Sequence, residues 1–300
     1  MALVELNHVT KSFGDQTVLA DLSLAVPEGS IYGFVGENGA GKTTTMKLIL
    51  GLLQRDAGSI TFAGNPVHYG RAAAASGIGY LPDVPEFYSE LTPTEYLRLC
   101  GQLTGIPHRE LGGRITAMLE TVGLPNNRRR IRGFSRGMKQ RLGVAQALLA
   151  RPRLLIADEP TSALDPVGRR EFLDLLASLR GTTTILFSSH ILDDVARICD
   201  QVGILHAGRL QVQGPLAQLL AAHGQAQVAL GFETPAAARQ AAAALGVAAR
   251  ESATLLIPAP QGETAALRPV LAALLAQDLV PVRVSPVRPS LEDLFMEVTQ

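Results

Sequence analysis

Nine consecutive residues, Gly36-Glu37-Asn38-Gly39-Ala40-Gly41-Lys42-Thr43-Thr44, satisfy the spacing G-x-x-x-x-G-K-[ST]. Glycines at these intervals let a backbone loop fold tightly enough to aim several N–H groups at one phosphate chain. Lys42 can reach the β- and γ-phosphates, and the Thr43 hydroxyl can ligand Mg²⁺. Further along, four apolar residues run into two acids in Leu154-Leu155-Ile156-Ala157-Asp158-Glu159. Asp158 can hold Mg²⁺ through water, and Glu159 beside a terminal phosphate can polarise an attacking water as a general base. His190, which follows Ser188-Ser189, can hydrogen-bond a terminal phosphate oxygen or that water. These types at these spacings imply a site for a nucleoside triphosphate with Mg²⁺.

Such chemistry needs its residues on one edge of a sheet. Ser30–Val35 is a short apolar run with the pattern of a buried strand, and Thr43–Leu50 reads as a helix with no breaker before Gly51. The helix N-terminus adds a favourable dipole beneath the phosphates. Leu154–Ala157 and Thr182–Phe187 read as buried parallel strands that deliver Asp158, Glu159 and His190 to the carboxyl edge.

Around this centre, Leu3–Ser12 and Thr17–Val26 alternate apolar and polar residues about a turn at Gly14-Asp15, which predicts an antiparallel pair at the sheet edge. Phe13 sits at that turn; periodicity favours a plug for the strand pair, while its flat face could stack on adenine. Gly58–Phe62 and Ile78–Leu81 are further short strands. From about Leu91 to Ala150 no strand-like run occurs, and helical patterns cover Pro93–Leu103, Arg109–Val122 and Gly137–Ala150. Thr92, Pro93 and Glu95 make a helix start with an N-cap, a first-turn proline and an acid three residues on. The stretch predicts an all-helical insertion in an α/β domain. Pro166–Leu179 and Ile191–Cys199 continue as helices, Val202–His206 and Arg209–Gln213 form a hairpin about Ala207-Gly208, and Pro215–Ala222 is a closing helix.

Composition shifts near His223-Gly224, dividing the chain into residues 1–222 and 223–300. The second part reads strand 226–231, helix 235–245, strands 247–250 and 254–258, helix 264–277, strand 280–285 and helix 291–298. Its first six elements follow the β-α-β-β-α-β order of a small ferredoxin-like α+β domain. It carries no cluster of histidine, cysteine or carboxylate, and no chemistry is assigned to it.

Lysine plus arginine and aspartate plus glutamate are equal at 27 each, so no global field draws the chain to nucleic acid or to an anionic membrane. The two cysteines, Cys100 and Cys199, match no metal or redox spacing and suit a reduced, cytosolic setting. No basic stretch leads into an apolar core at the N-terminus, and no run approaches the roughly 20 apolar residues that span a bilayer. A membrane role has to come through a partner.

Phe134-Ser135-Arg136-Gly137-Met138-Lys139-Gln140-Arg141, some twenty residues before the paired acids, resembles the signature motif of the ABC ATPase family. Residues 1–222 then resemble that family almost throughout, with a helical subdomain at about 84–150. In this likeness Phe13 is the adenine-stacking aromatic, Gly36–Thr44 the Walker A loop, and Leu154–Glu159 the Walker B strand. Ser162-Ala163-Leu164-Asp165 is the D-loop and His190 the switch histidine. The resemblance implies a nucleotide-sandwich dimer in which ATP at one subunit's Walker A is capped by Ser135 and Gly137 of the other. One motif set per chain then requires a homodimer or a similar ATPase as mate.

Two departures from the family's pattern matter, the first in its common signature, Leu-Ser-Gly-Gly-Gln. Arg136 and Met138 replace its first glycine and its glutamine, while Ser135 and Gly137 keep the hydroxyl and the close backbone approach. Asp83 follows the Ile78–Leu81 strand where the family usually has a glutamine that helps hold Mg²⁺. A carboxylate can ligand Mg²⁺ there, and it adds negative charge beside the triphosphate. With Pro289-Ser290-Leu291-Glu292-Asp293-Leu294-Phe295, these departures resemble the branch serving drug and sodium exporters, whose permease is a separate chain. The likeness implies an ATP-hydrolysing subunit, cytoplasmic and peripheral on the inner face of the cell membrane, with Glu86-Phe87-Tyr88 as the expected docking cluster. The competing class is a soluble ABC ATPase acting on a ribosome, DNA or an assembly complex. Only Arg128-Arg129-Arg130-Ile131-Arg132 leans that way, without aromatics for base stacking, and no nucleic-acid partner is expected.

Overall fold

The computed structural model describes residues 2–71, 77–223, 227–247, 252–259, 263–287 and 289–299. They divide into two compact units, Met1–Leu216 and Ala217–Val298. The N–H of Leu216 donates to the Asp200 carbonyl at 3.0 Å, and past that anchor the chain joins the second unit.

The first unit begins with β1 (Ala2–Phe13), β2 (Gln16–Pro27), β3 (Ile31–Gly36), α1 (Lys42–Ile49), β4 (Ala57–Phe62), β5 (Asn65–Pro66) and β6 (Ile78–Leu81). Helices follow without an intervening strand: α2 (Pro93–Leu103), α3 (His108–Thr121) and α4 (Arg136–Leu148), with a 3₁₀ turn at Ile131–Gly133. The chain then returns to the sheet through β7 (Leu154–Ala157), α5 (Pro166–Ser178), β8 (Thr184–Ser189), α6 (Leu192–Ile198), β9 (Gln201–His206) and β10 (Arg209–Pro215).

Two sheets result. One is a four-stranded antiparallel sheet of order β2-β1-β4-β5. The other has the order β10-β9-β3-β8-β7-β6, with β9 through β6 parallel and β10 turning back along β9. Every residue of β3, β7 and β8 is buried, as their unbroken apolar runs require for strands covered on both faces. Helix α1 packs against β3 and β4, so both sheets share a core that includes Leu6, Leu22, Phe34, Met46 and Ile156. The parallel register pairs Val35 with Ser189, Phe187 with Ala157, and Ala157 with Leu81. Glu37, Asp158, His190 and Pro82 therefore leave the sheet at one edge.

The helical insertion is opened by a capping box. Glu95 N donates to Thr92 Oγ1 at 3.3 Å while Thr92 N donates to Glu95 Oε2 at 2.8 Å, satisfying two otherwise orphaned donors. The basic run beyond α3 is partnered locally: Arg130 and Arg132 lie 2.8 and 3.6 Å from Glu90, and Arg129 donates to the Gly133 carbonyl.

The second unit contains most of α7 (Leu216–His223), then β11 (Gln227–Gly231), α8 (Pro235–Leu245), β12 (Thr254–Pro258), α9 (Glu263–Leu275), β13 (Arg283–Val287) and α10 (Leu291–Thr299). β11 lies between β12 and β13 and pairs antiparallel with both. Val228, Leu230, Leu255, Ala241 and Leu274 form its core. The strand expected at 247–250 falls largely outside the described residues; Val247 itself belongs to no strand. The strand expected over 280–285 begins at Arg283 instead. Pro281 has no N–H to give the ladder, and pairing starts only after Val282 N reaches the Gly231 carbonyl.

Candidate nucleotide site

The loop after β3 ends in an uncapped helix. Gly39 and Gly41 have φ of 85° and 111°, and Gly41 is the N-cap of α1 without any side-chain cap among the described residues. A Cβ at Gly41 would lie 2.5 Å from Leu19 Cδ2, so packing and backbone geometry both require glycine there. The first-turn N–H groups of α1 stay available to an anion, in line with the helix dipole.

Lys42 is nearly buried, with 6% exposure. Its ammonium donates to the Gly36 carbonyl at 2.6 Å and the Glu37 carbonyl at 3.1 Å, and stands 3.1 Å from Glu159 Oε1. That last contact is an ion pair without hydrogen-bond alignment, since Oε1 is buried and has no hydrogen-bond donor. The other oxygen, Oε2, is 2.8 Å from His190 Nδ1 and accepts from the His190 N–H at 3.3 Å. One carboxylate thus meets a cation on one side and an imidazole on the other. A pocket of about 290 Å³ opens beside it, lined by Val18, Asn38, Gly39, Gly41, Lys42, Thr43, Thr44, Asp83 and Glu159. Val18 was not singled out from sequence, because its place follows from β2 passing under the loop.

Glu159 has φ 45°, a left-handed conformation that costs a non-glycine residue on the order of 1–2 kcal/mol. Its N–H donates to Ser188 Oγ at 2.9 Å, and that hydroxyl donates to Asp158 Oδ1 at 2.7 Å. Asp158 and Ser188 are both buried. Behind them Asp194, 2% exposed, accepts from Thr161 Oγ1 at 2.7 Å and from Arg169 Nε at 2.6 Å. This ties the segment after Glu159 to α5 and to α6. Sequence reasoning missed Ser188, Thr161, Arg169 and Asp194, since no local spacing marks them as partners.

Asp83 lines the same pocket and accepts from Ser162 Oγ at 2.6 Å, while its main-chain carbonyl accepts from Gln140 Nε2 at 2.7 Å. The Tyr80 hydroxyl is pushed up to about 12, by burial first and then by the charges of Asp158 and Asp83. Both acids therefore act on one region. Among the described residues no cluster of three or more His, Cys, Asp or Glu side chains forms a metal cage. Mg²⁺ carried by a nucleotide needs none, because phosphates and water complete its octahedron around one or two protein oxygens. The buried, donorless Oε1 of Glu159 and the oxygens of Thr43, Asp83 and Asp158 suit such a group.

The remaining residues lie apart. Phe13, at the end of β1, is 49% exposed with Lys11 Nζ 5.2 Å from its ring centre, so it does not plug the strand pair. Ser135 caps α4, its Oγ accepting from Met138 N at 3.2 Å, and it is exposed. A Cβ on Gly137 would touch only Leu164, at 3.9 Å. Asp165 caps α5, accepting from Gly168 N at 3.1 Å. None of these four lines the pocket of this chain. In the expected docking cluster, Phe87 packs edge-on against Tyr96 at 5.1 Å, while Glu86 is exposed and Tyr88 is 67% exposed.

A glycine loop opening a bare helix, a buried lysine and strand-end acids on a parallel sheet define a nucleotide-binding ATPase of the P-loop class. Residues 19–162 match the ABC transporter family. The chain is 42% identical over 218 residues to YxlF of Bacillus subtilis, an uncharacterized ABC transporter ATP-binding protein, covering 72% of each chain. It is 41% identical over 220 residues to the bacitracin transport ATP-binding protein BcrA of Bacillus licheniformis, covering 72% of this chain and 71% of that one. A solved structure, the ATP-binding subunit of an ABC transporter, superposes with a TM-score of 0.66 at 33% identity, over 73% of this chain and 92% of the other. The chain belongs to the ABC transporter ATP-binding protein family. It is an ATP-binding ATPase whose hydrolysis is coupled to transport.

Proposed function

We propose that the chain is the energy-coupling subunit of an exporter whose permease is a separate polypeptide. Its nucleotide-binding domain is residues 1–222, with a helical subdomain at about 84–150, and residues 223–300 form an accessory domain. In this reading the loop from Gly36 to Thr44 cradles the phosphates and Phe13 stacks on the adenine. Lys42 gives its charge to the terminal phosphates. Thr43, Asp158 and Asp83 supply oxygens to Mg²⁺, which would neutralise phosphate charge when bound. Glu159 takes a proton from the attacking water, and His190, donating from Nδ1 and its backbone N–H, holds the Glu159 carboxylate in line.

The observation that carries this reading is the placement of Glu159 between Lys42 at 3.1 Å and His190 at 2.8 Å, at the mouth of an uncapped helix. The exposure of Ser135, away from the chain's own pocket, supports a sandwich in which a second copy, or a similar ATPase, supplies Ser135 and Gly137. Asp165 then belongs to the segment that meets the mate. No helix among the described residues is long and apolar enough to cross a membrane, and the proposed place of work is the cytoplasmic face, bound to the permease. Val84 and Tyr88, 63% and 67% exposed, offer the permease an apolar edge beside a pocket of about 390 Å³ lined by Asp83, Phe87, Arg136 and Gln140. The bacitracin transport named for BcrA makes a drug-like cargo the first class to assay.

The test is a tagged Glu159→Gln protein purified from detergent-solubilised membranes of its host with MgATP. A stoichiometric polytopic membrane protein is the expected companion. Ribosomal or DNA-bound partners in a membrane-free fraction would replace this reading with a soluble ATPase.

A further inference from the structure

The two acids that follow β7 are held by a side chain from the neighbouring strand β8. Glu159 turns with φ 45°, a conformation that L residues avoid unless their surroundings impose it. In that conformation its amide is bound by Ser188. The Glu159 N–H donates to Ser188 Oγ at 2.9 Å, and the same oxygen donates its proton to Asp158 Oδ1 at 2.7 Å. A hydroxyl has one proton and two acceptor lone pairs, so it makes both bonds at once, and the direction of each follows. Asp158 can only accept and the amide can only donate.

Ser188 sits in β8 with no exposure to solvent, so water cannot replace either bond. Its neighbour Ser189 works differently: Ser189 Oγ accepts from the Ile191 N–H at 2.9 Å and serves the turn. Side chains in a strand alternate, which sends Ser188 and Ser189 to opposite faces. Two residues past Ser188, the His190 ring meets Glu159 Oε2 at 2.8 Å. The end of β8 therefore grips both acids, Asp158 and Glu159, from one side. Each of the two carboxylates has one oxygen committed to it.

Resting on the roles given above to Asp158 and Glu159, we propose that Ser188 is a positioning residue for ATP hydrolysis. Its single hydroxyl sets the Asp158 carboxylate and the Glu159 backbone together. The oxygen offered to the cation and the oxygen offered to the attacking water keep a fixed separation. Phe187, Leu186 and Ile185, just before it in β8, are buried apolar residues, so a hydroxyl at 188 is there for its two hydrogen bonds rather than for volume.

The experiment compares Ser188→Ala, Ser188→Cys and Ser188→Thr with wild type, each checked for fold by thermal melting. Steady-state hydrolysis gives kcat and KM; binding of a fluorescent non-hydrolysable ATP analogue, titrated with Mg²⁺, gives the Mg²⁺ midpoint without turnover. For Ser188→Ala and Ser188→Cys, kcat should fall about 10- to 100-fold and the Mg²⁺ midpoint should rise about tenfold, as for lost supports of metal ligands. KM for ATP and Mg²⁺-free analogue binding should stay within about threefold, because the phosphate loop is untouched. Ser188→Thr, which keeps the hydroxyl, should restore the midpoint. A folded Ser188→Cys with wild-type kcat, or a loss of kcat with an unmoved Mg²⁺ midpoint, overturns the proposal. So does loss of fold in both variants lacking the hydroxyl, which would make the role structural. Asp158→Asn is the control: if it leaves the Mg²⁺ midpoint in place, the role given to Asp158 fails. If Asp158→Asn moves the midpoint and Ser188→Ala does not, only the positioning inference fails.

Discussion

The Lys42 ammonium and the Glu159 carboxylate stand 3.1 Å apart, both largely shielded from solvent, at 6% and 14% exposure. Each is the other's counter-charge. In the proposed roles, a terminal phosphate entering the loop would compete for Lys42 and release Glu159 to the attacking water, so one contact would link binding to the base. Lys42→Ala should therefore reduce hydrolysis by at least about 10²-fold, the scale seen when a donor to developing charge is removed. Malachite-green phosphate release checks it; unchanged turnover would remove the site from this loop.

Glu159→Gln keeps the shape and the contact with His190 but removes the proposed base. ATP should still bind, with hydrolysis falling by about 10²-fold or more. MgATP should then hold two copies together. Light scattering that shows a monomer at saturating MgATP would count against the sandwich.

Asp83 bonds Ser162 through its side chain at 2.6 Å and Gln140 through its carbonyl at 2.7 Å. Asp83→Gln retains an oxygen for Ser162 and should keep ATPase activity within about threefold, whereas Asp83→Ala should lower it about tenfold. Equal rates for the two variants would show that the Ser162 bond does not matter to turnover.

Helix α2 begins with a titratable clamp. The Thr92 N–H and then the Thr92 hydroxyl hold the Glu95 carboxyl below the ordinary carboxylate range. A depressed folded-state value means stabilisation that is present above the unfolded value and lost as pH falls through the folded one. Wild-type melting temperature should thus drop more steeply than that of Thr92→Ala between about pH 5 and pH 3. Thr92→Ala itself should cost about 1 kcal/mol at neutral pH. Parallel melting curves across that range would mean the hydroxyl's share of the clamp is silent, the backbone N–H being common to both proteins.

β3 carries the phosphate loop, and its packing leaves no room at Gly203. A Cβ there would lie 2.3 Å from Tyr32 Oη, in a side chain that is 1% exposed and has nowhere to move. Gly203→Ala should destabilise by about 1–3 kcal/mol. Tyr32→Phe removes the colliding oxygen, so the double variant should recover much of the loss in denaturant unfolding. Additive losses would place the strain elsewhere.

Much of the chemistry was decided by residue order alone, because its elements are local. The phosphate loop needs glycines, a lysine and a hydroxyl within nine residues, and any chain that folds them between a strand and a helix aims the same groups at an anion. The Thr92–Glu95 clamp spans four residues, and the Ala207-Gly208 turn is closed by residues adjacent to it. The buried strands were legible because an unbroken apolar run suits a parallel strand covered on both sides. Tertiary structure alone decided what joins distant segments. Phe13 reads as a plug by periodicity, yet it is half exposed at the end of β1, with the Lys11 ammonium over its ring. Ser188 meets Asp158 across thirty positions of sequence, and Asp194 meets Thr161 across thirty-three. A buried serine, threonine or aspartate has no periodicity that names its partner. The partner is set by which strand ends lie side by side, and there the cost of an unpaired buried polar group selects the match.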